Sequence, residues 1–370
     1  MLEDFLPLVT KPGRYINNEI NAVHKDLSTV KTKICLFFPD TYEVGMSHVG
    51  LRILYHILNS RPDTACERVF SPWPDYEEKL RQSGRPLKSL ESNLPLSEFD
   101  LIGFTLQYEL SYSNILTGLE LAGIPSTSAQ RNDGHPIIVA GGPCAVNPEP
   151  LSDFIDVFFI GEAEEAVHEL VELRQAHTSR QQFLDAISKC EGFYVPSLGK
   201  SIVRRRYLKD IESAPYPDKP ILPLMKPIHD RVTVEVARGC IRGCRFCQAG
   251  IIYRPYRERS REHVEDVLHE SLRCTGYEEL SLASLSAGDY SDIQPLVIEL
   301  MRKYKDNRIS VSLPSLRVGT LTPEMIEAIA GTRKTGFTLA PEAGTERLRR
   351  VINKPVTDQD LMDAGETIFR

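Results

Sequence analysis

From Lys33 onward the chain alternates short apolar runs with amphipathic stretches. Ile34-Cys35-Leu36-Phe37-Phe38 predicts a buried strand, and residues 50–59, apolar at Leu51, Ile53, Leu54, Ile57 and Leu58, predict a helix. Leu101-Ile102-Gly103-Phe104-Thr105, Ile137-Ile138-Val139-Ala140 and Val157-Phe158-Phe159-Ile160 are further strand-length runs separated by helical patterns. Such alternation argues a parallel sheet covered by helices on both faces. Ligands of open sheets of this kind bind beyond the carboxyl ends of the strands. Gly141-Gly142-Pro143 and Gly161-Glu162-Ala163-Glu164-Glu165 stand at two such ends, where they read equally as a close approach to a ligand or as plain turns.

The second half repeats the alternation. Val232-Thr233-Val234-Glu235-Val236 predicts a strand, residues 261–272 a helix, Leu280-Ser281-Leu282-Ala283 a strand and residues 293–304 a helix. Ile309-Ser310-Val311-Ser312-Leu313 and Phe337-Thr338-Leu339-Ala340 predict two more strands, with helices at 323–330 and from Thr345 and Thr357. Repeated β/α units describe a barrel, whose active site is built from the loops after the strands. Between the halves, Glu191-Gly192-Phe193-Tyr194-Val195-Pro196 and residues 201–207 read as a pair of strands around Gly199. Pro215, Pro217, Pro220, Pro223 and Pro227 then mark an extended linker. The expected organisation is an N-terminal extension at 1–30, a Rossmann-type domain at 31–176, a connector at 177–230 and a partial (β/α) barrel at 231–370.

Composition narrows this only slightly. A chain of 370 residues, 41% hydrophobic and 26% charged, is an ordinary globular one of two or three domains. No segment approaches the ~20 apolar residues that cross a bilayer. The start Met-Leu-Glu-Asp-Phe-Leu lacks a secretory pattern, so the expected location is cytoplasmic, with no membrane partner. A net charge of −7 argues against a general nucleic-acid coat. Between Arg231 and Glu262, however, eight arginines (Arg231, Arg238, Arg242, Arg245, Arg254, Arg257, Arg259, Arg261) face three acids (Glu235, Glu258, Glu262). They suit an anionic cofactor or a phosphate-bearing substrate, or form a solvated rim.

Candidate chemistry concentrates among those arginines. Of eight cysteines, Cys35, Cys66, Cys144, Cys190 and Cys274 are scattered, but Cys240, Cys244 and Cys247 stand in a C-x-x-x-C-x-x-C spacing directly after a predicted strand. A tight group of three in a chain without secretory signals points to metal binding. A cubane of four irons is normally held by four thiolates, so three leave one iron with an open position, as catalytic zinc sites keep one position free. Gly243 lets the loop fold back, and Phe246 sets an aromatic face beside the last thiol. A zinc-stabilised binding module is the alternative, with His229 or His263 as fourth ligand.

The three-cysteine spacing with an aromatic residue before the last cysteine resembles the radical S-adenosylmethionine (radical SAM) superfamily. The resemblance implies a 4Fe-4S cluster on Cys240, Cys244 and Cys247. Its open iron chelates SAM, and its electron cleaves SAM to a 5′-deoxyadenosyl radical. The same resemblance implies adenine packing by Phe246 and SAM contacts from Gly288, Asp289, Ser312, Arg317 and Glu342, all at predicted strand ends. Ser315 stands in the same loop as Arg317 and shares that expectation. A flavodoxin- or ferredoxin-like electron donor is implied as partner.

The first domain resembles the cobalamin-binding type found ahead of many radical SAM cores, through Phe38-Pro39-Asp40-Thr41-Tyr42 with Gly45 and His48, Gly141-Gly142-Pro143 and Gly161-Glu162. Cobalamin is therefore an expected cofactor and methyl transfer an expected outcome, with sulfur insertion or rearrangement open. The motif Asp-x-His-x-x-Gly of base-off binders is replaced by Met46-Ser47-His48-Val49-Gly50-Leu51, which argues against His48 as a cobalt ligand. Radical SAM cores usually have six β/α units and only four strands are counted before Arg370. A longer protein or a second polypeptide is thus expected to complete the barrel, and this stretch alone is expected to be a poor catalyst. A partner domain with vestigial cofactor sites is the remaining alternative.

Overall fold

The apolar runs of the first half pair side by side into one sheet. A computed structural model describes residues 4–320, 322–330 and 339–369 of the chain. Two units are distinguished: Met1–Lys209 with Pro215–His229, and Asp210–Ala214 with Asp230–Arg370.

In the first unit, β1 (Thr32–Phe38) is followed by a short α1 (Tyr42–Gly45) and by α2 (Val49–Ser60). Then come β2 (Thr64–Phe70), α3 (Pro74–Ser83), β3 (Leu101–Thr105), α4 (Tyr112–Leu121), β4 (Ile137–Gly141), β5 (Val157–Phe159), α5 (Ala166–Ala176), α6 (Arg180–Ile187) and β6 (Phe193–Tyr194). The strand order is β2-β1-β3-β4-β5-β6, parallel except for the antiparallel edge strand β6. Strand side chains alternate between two apolar cores. Ile34, Leu36 and Phe38 join Leu101, Ile137, Val139, Val157 and Phe159 on one face, under α2, α5 and α6. Cys35 and Phe37 join Ile102, Phe104, Ile138, Ala140 and Phe158 on the other, under α3 and α4. Burial on both faces is why these strands read as continuous apolar runs rather than as alternating ones.

Three features depart from the pattern-based expectation. β2 carries Glu67 and Arg68 yet is buried along its whole length, so its pattern did not announce a strand. Arg68 is 1% exposed; its Nε donates to Glu91 Oε1 at 2.6 Å and a second nitrogen lies 3.4 Å from Glu19. Residues 4–30 are packed into the unit rather than appended to it: Glu19 serves Arg68, and buried Arg14 pairs with Glu43 at 2.9 Å. The expected pair of strands around Gly199 does not form. Only β6 joins the sheet, and Arg206 makes a single parallel bridge to Gly161. Residues 177–209 pack within the first unit and the proline-rich 215–229 returns to it, while 210–214 belong to the second.

The second unit begins with β7 (Val232–Glu235), β8 (Ala237–Arg238), α7 (Ala249–Ile252), β9 (Arg257–Glu258) and α8 (Arg261–Thr275). It continues with β10 (Glu279–Ala283), α9 (Ile293–Tyr304), β11 (Ser310–Ser312), α10 (Pro323–Ala330), α11 (Glu346–Val351) and α12 (Asp358–Phe369). Its sheet has the order β11-β10-β7, all parallel, and β8 pairs antiparallel with β9. Helix starts follow local chemistry: Ser260 accepts from His263 N–H ahead of α8, and Thr345 accepts from Leu348 N–H ahead of α11. Of the expected fourth strand, Phe337 and Thr338 lie outside the described residues, and Leu339 and Ala340 are not in a strand. The partial barrel is represented, among the described residues, by three parallel strands with their crossover helices.

Two predictions follow from the first unit's buried polar groups. Arg68→Met leaves two buried carboxylates without their cation and is expected to cost about 3–5 kcal/mol. Adding Glu91→Gln to it should restore part of that loss, read from denaturant unfolding of the intact chain. His48 caps α2, its Nδ1 accepting from Leu51 N–H at 3.0 Å. Loss of hydration pushes its pKa down to about 4, although a hydrogen bond with the Gln107 side chain works the other way. Protonation removes the cap's acceptor. Because the folded pKa lies below the ordinary value of 6.5, the unfolded chain takes up the proton first as pH falls. The stability contributed by neutral His48 is therefore complete above the ordinary value and declines toward pH 4. His48→Asn keeps a capping side chain that does not titrate, so its unfolding midpoint should fall less between neutral and mildly acid pH than that of the unsubstituted chain.

Candidate functional site

The cysteines occupy an excursion of the chain at the carboxyl end of β7. The short β8–β9 ladder, with Ala237 opposite Glu258 and Arg238 opposite Arg257, closes residues 239–256 into a loop that carries α7. Its entry is Gly239, at φ +89°, where an added Cβ would stand 2.6 Å from Pro255 O and 2.7 Å from Tyr253 O. Both the backbone conformation and the closeness of those carbonyls demand glycine beside Cys240.

All three thiols are partly exposed and none is in a disulfide. Cys247 N–H donates to Cys244 O at 3.1 Å. The sulfurs receive hydrogen bonds: Arg242 N–H donates to Cys240 Sγ at 3.4 Å, and Arg317 Nη1 to Cys244 Sγ at 3.5 Å. Among the described residues no three His, Cys, Asp or Glu side chains are gathered as one metal ion would require. A cluster, by contrast, receives each thiolate on a different iron. Three free thiols on one externally held loop fit that donor set. His263 is engaged elsewhere, with Nε2 3.4 Å from Arg259 Nη1 and Nδ1 3.8 Å from Glu212, and His229 belongs to the first unit.

The loop has little regular structure of its own, and other segments hold it. Arg245 N–H donates to Ile352 O at 2.9 Å and its guanidinium to Val351 O. Asn353 Nδ2 donates to Gly243 O at 2.8 Å. The Arg242 guanidinium forks onto the Asp289 carboxylate. Burial raises the pKa of Asp289, but Arg242 and Ser286 outweigh it and hold the carboxyl below its ordinary value. Tyr256 Oη adds a bond to Asp289 O at 3.2 Å.

The structure brings together most of the residues singled out from sequence. Asp289 touches the cysteine loop through Arg242, and Arg317 touches it through Cys244. Gly288 packs so closely on Thr320 that a Cβ would approach it to 2.4 Å. Phe246 is 54% exposed. Glu342 pairs with Lys354 at 2.9 Å, immediately after the Asn353 that holds the loop. Ser312 is not brought to the loop: it pairs in register with Ser281, which lies level with Thr233, and its Oγ accepts from Arg231 Nη1 ahead of β7. Several arginines expected to face a ligand or solvent instead tie the unit together. Arg259 is 2% exposed and donates to the carbonyls of Ile211 and Ala214, and Arg238 pairs with Glu235 at 2.9 Å. Sequence reasoning missed Arg242, Arg245 and Asn353 as supports. Asn353 sits at φ +57°, a conformation asparagine tolerates, and Asn353-Lys354-Pro355 after a helical pattern is a turn signal that was there to be read.

In the first unit the order β2-β1-β3 places the topological switch point between β1 and β3, where the chain's crossovers leave in opposite directions and where open sheets of this kind bind ligands at the carboxyl ends. The loops there are tied by Tyr108 Oη donating to Asp40 Oδ2 at 3.0 Å, and Tyr108 is 43% exposed. His48, with Nδ1 spent on Leu51 and its ring bonded to Gln107, is a helix cap at this switch point.

Asn353→Ala removes the bond to Gly243 without touching a cysteine. It should leave the unfolding midpoint nearly unchanged while amide hydrogen exchange across residues 239–248 rises severalfold, since local opening is governed by the contacts of that segment alone.

The family pattern described as "Radical SAM proteins, N-terminal" matches residues 50–196, and that of the "Radical SAM superfamily" matches residues 234–370. The uncharacterized protein MJ0966 of Methanocaldococcus jannaschii is 28% identical over 341 residues, covering 90% of this chain and 65% of that protein. The chain resembles TsrM from Kitasatospora setae, a radical S-adenosylmethionine methyltransferase solved with cobalamin and a 4Fe-4S cluster, at a TM-score of 0.62 and 12% identity. That match covers 91% of this chain and 64% of the other. It resembles OxsB, a cobalamin-dependent S-adenosylmethionine radical enzyme solved with aqua-cobalamin and S-adenosylmethionine, at a TM-score of 0.60 and 13% identity over 91% of this chain and 47% of the other. At such identities the two likenesses establish a shared fold. The chain thus spans less than two thirds of the length of each relative it matches here. No helix among the described residues is long and apolar enough to cross a membrane. With family patterns matching both units, the cysteine loop at the end of its first barrel strand and the fold of these enzymes, the chain belongs to the radical SAM superfamily.

Proposed function

We propose that the chain is the cofactor-binding portion of a cobalamin-using radical SAM enzyme. Cys240, Cys244 and Cys247 hold a 4Fe-4S cluster and leave one iron for SAM. The reading rests above all on three free, partly exposed thiols presented by one clamped loop at the carboxyl end of β7. When bound and reduced, the cluster supplies the electron that cleaves SAM to methionine and a 5′-deoxyadenosyl radical.

The chain's own residues bind and orient. Phe246 offers an exposed ring for the adenine, and the close packing of Gly288 on Thr320 fixes a backbone turn beside the cysteine loop. Asp289, kept ionised by Arg242, offers a carboxylate toward the SAM amino group. Arg317 offers a cation to its carboxylate while bonding Cys244. Glu342 would exchange Lys354 for a ribose hydroxyl. Ser315, in the turn before Arg317, is half of the same loop, and Ser312 is left out of this set. Cobalamin is assigned to the switch point between the β1 and β3 loops, held without His48 as a cobalt ligand. Methyl transfer to a substrate still to be identified is the outcome most in keeping with that pair of cofactors, and a flavodoxin- or ferredoxin-like donor supplies the electron.

The test is anaerobic reconstitution with iron and sulfide, followed by electron paramagnetic resonance of the reduced protein with and without SAM. A cluster signal that shifts on adding SAM is expected, lost in each of Cys240→Ala, Cys244→Ala and Cys247→Ala. A colourless protein retaining one zinc would sink the reading. For the first unit, cobalamin should stay bound through gel filtration in both the native chain and His48→Asn; retention by the native chain alone would make His48 a ligand after all.

A further inference from the structure

The first unit holds a second cavity, of about 220 Å³, between one face of α2 and two extended segments, around Asn21–Val23 and around Pro217–Ile221. No residue of the loops that follow β1, β3, β4 and β5 lines it, so it is separate from the switch point assigned above. Arg52, His56, Asn59 and Ser60 reach it from α2 and Lys219 from the proline-rich segment. Arg52 and His56 are one helical turn apart and therefore share a face. The two segments are fastened to each other by the Ile20–Leu222 bridge and by Asn21 Nδ2 donating to Pro220 O at 3.0 Å, so the wall bearing Lys219 is fixed.

The polar groups of this cavity divide into spent and unspent. Asn59 is used up on both sides of Cys66, Ser60 donates to Ile57 O, and Tyr55 Oη exchanges hydrogen bonds with Val23. Arg52 differs: its Nε is shut off from water and has no hydrogen-bond partner. Among the described residues, no carboxylate lines the cavity. What the cavity offers a ligand is the pair of cations in its lining, Arg52 and Lys219.

We propose that this cavity is an anion site for a phosphate group, with Arg52 and Lys219 as its cations and His56 as a further donor. A planar guanidinium matches the oxygens of a phosphate in a forked contact, and an ammonium adds a point charge. Two cations suit a dianion better than a single carboxylate. Cofactor-sized ligands occupy pockets of roughly 300–1,000 Å³, so this smaller cavity takes a phosphate carried free or on a compact ester and not a second SAM or a corrin. The site shares no lining residue with the cysteine loop or with the loops after β1 and β3.

Isothermal titration of the full chain with inorganic phosphate and, separately, with glycerol 3-phosphate tests it, in chloride of matched ionic strength. Saturable binding of one equivalent is expected for at least one of the two, weakened about tenfold or more in Arg52→Met and in Lys219→Met, as removal of one charge-assisted contact implies. Tighter binding of the ester identifies a phosphomonoester as the ligand; equal or tighter binding of inorganic phosphate identifies the free ion. Each supports the site. Should either variant misfold, Arg52→Lys, which keeps charge but loses the fork, should bind several-fold more weakly than the native chain. No saturable uptake of either probe by the native chain, or uptake unchanged in the variants, overturns the proposal.

Discussion

The second unit is built around one constraint: three thiols on the eight residues Cys240 to Cys247, mostly irregular chain, must be held still by something other than themselves. A helix or strand fixes its side chains through its own ladder, whereas the cysteine loop makes few internal bonds, among them Cys247 N–H to Cys244 O. Its order is imported. Gly239 brings the chain against the carbonyls of Tyr253 and Pro255, and Arg245 and Asn353 tie the loop to the turn after α11. Arg242 ties it to Asp289 at the end of β10, and Arg317 reaches it from beyond β11. Beyond the loop's own closure at Gly239, the ties come from three places far apart in sequence, so the loop can be rigid only once the sheet and α11 are in place. A site that must present three ligands in fixed geometry gains from supports that orient the ligands without ligating anything.

Parallel pairing explains why those places converge. β7, β10 and β11 run the same way, so the segments that leave them emerge at one edge, and crossover helices α8 and α9 carry the chain back to begin the next strand. Register then decides which residues count. Glu235 and Ala283 are level at the carboxyl edge, whereas Ser312 is level with Ser281 and Thr233, two positions short of it. That offset, together with the bond from Arg231, removes Ser312 from the site although Arg317, five residues on, is in it. The first unit obeys the same geometry with a different outcome. Its strand order turns at β1 and β3, and the switch point is marked by Asp40, Gln107 and Tyr108 rather than by cysteines.

How much of this was legible beforehand depends on whether a residue's role is local. Strands β1, β3, β4 and β5 were readable because burial on both faces leaves an apolar run, and the three cysteines because their spacing is itself the chemistry. β2 was not, because its Glu67 and Arg68 look like surface residues until partners from elsewhere in the chain satisfy them, Ser92 for Glu67 and Glu91 with Glu19 for Arg68. Charged residues in a buried strand are a tertiary fact with no sequence period. The role of Asn353 is hidden for the same reason: its turn is visible in Asn353-Lys354-Pro355, but that the turn lies against Gly243 is known only from the folded chain. The packing of residues 4–30 also depends on distant partners, Glu43 and Arg68.

The basic stretch between Arg231 and Glu262 shows how a count of charges misleads. Read in sequence it looks like a surface for anions. In the fold Arg231 is paired with Glu279, Arg238 with Glu235, Arg242 with Asp289 and Arg261 with Glu265, and Arg259 is buried against main-chain carbonyls. Paired cations exert little field beyond their partners, because each carboxylate cancels the charge within a few ångströms and salt screens the rest. The local positive potential at the cysteines therefore comes from fewer groups than eight arginines suggest, with Arg317 and the backbone N–H of Arg242 in direct contact with sulfur. Arg52 and Lys219 are not part of any such run, yet line a cavity with no carboxylate among its described lining residues. Where a base stands in the fold, not the density of bases along the chain, separates a group that lines a cavity from one that holds the fold together.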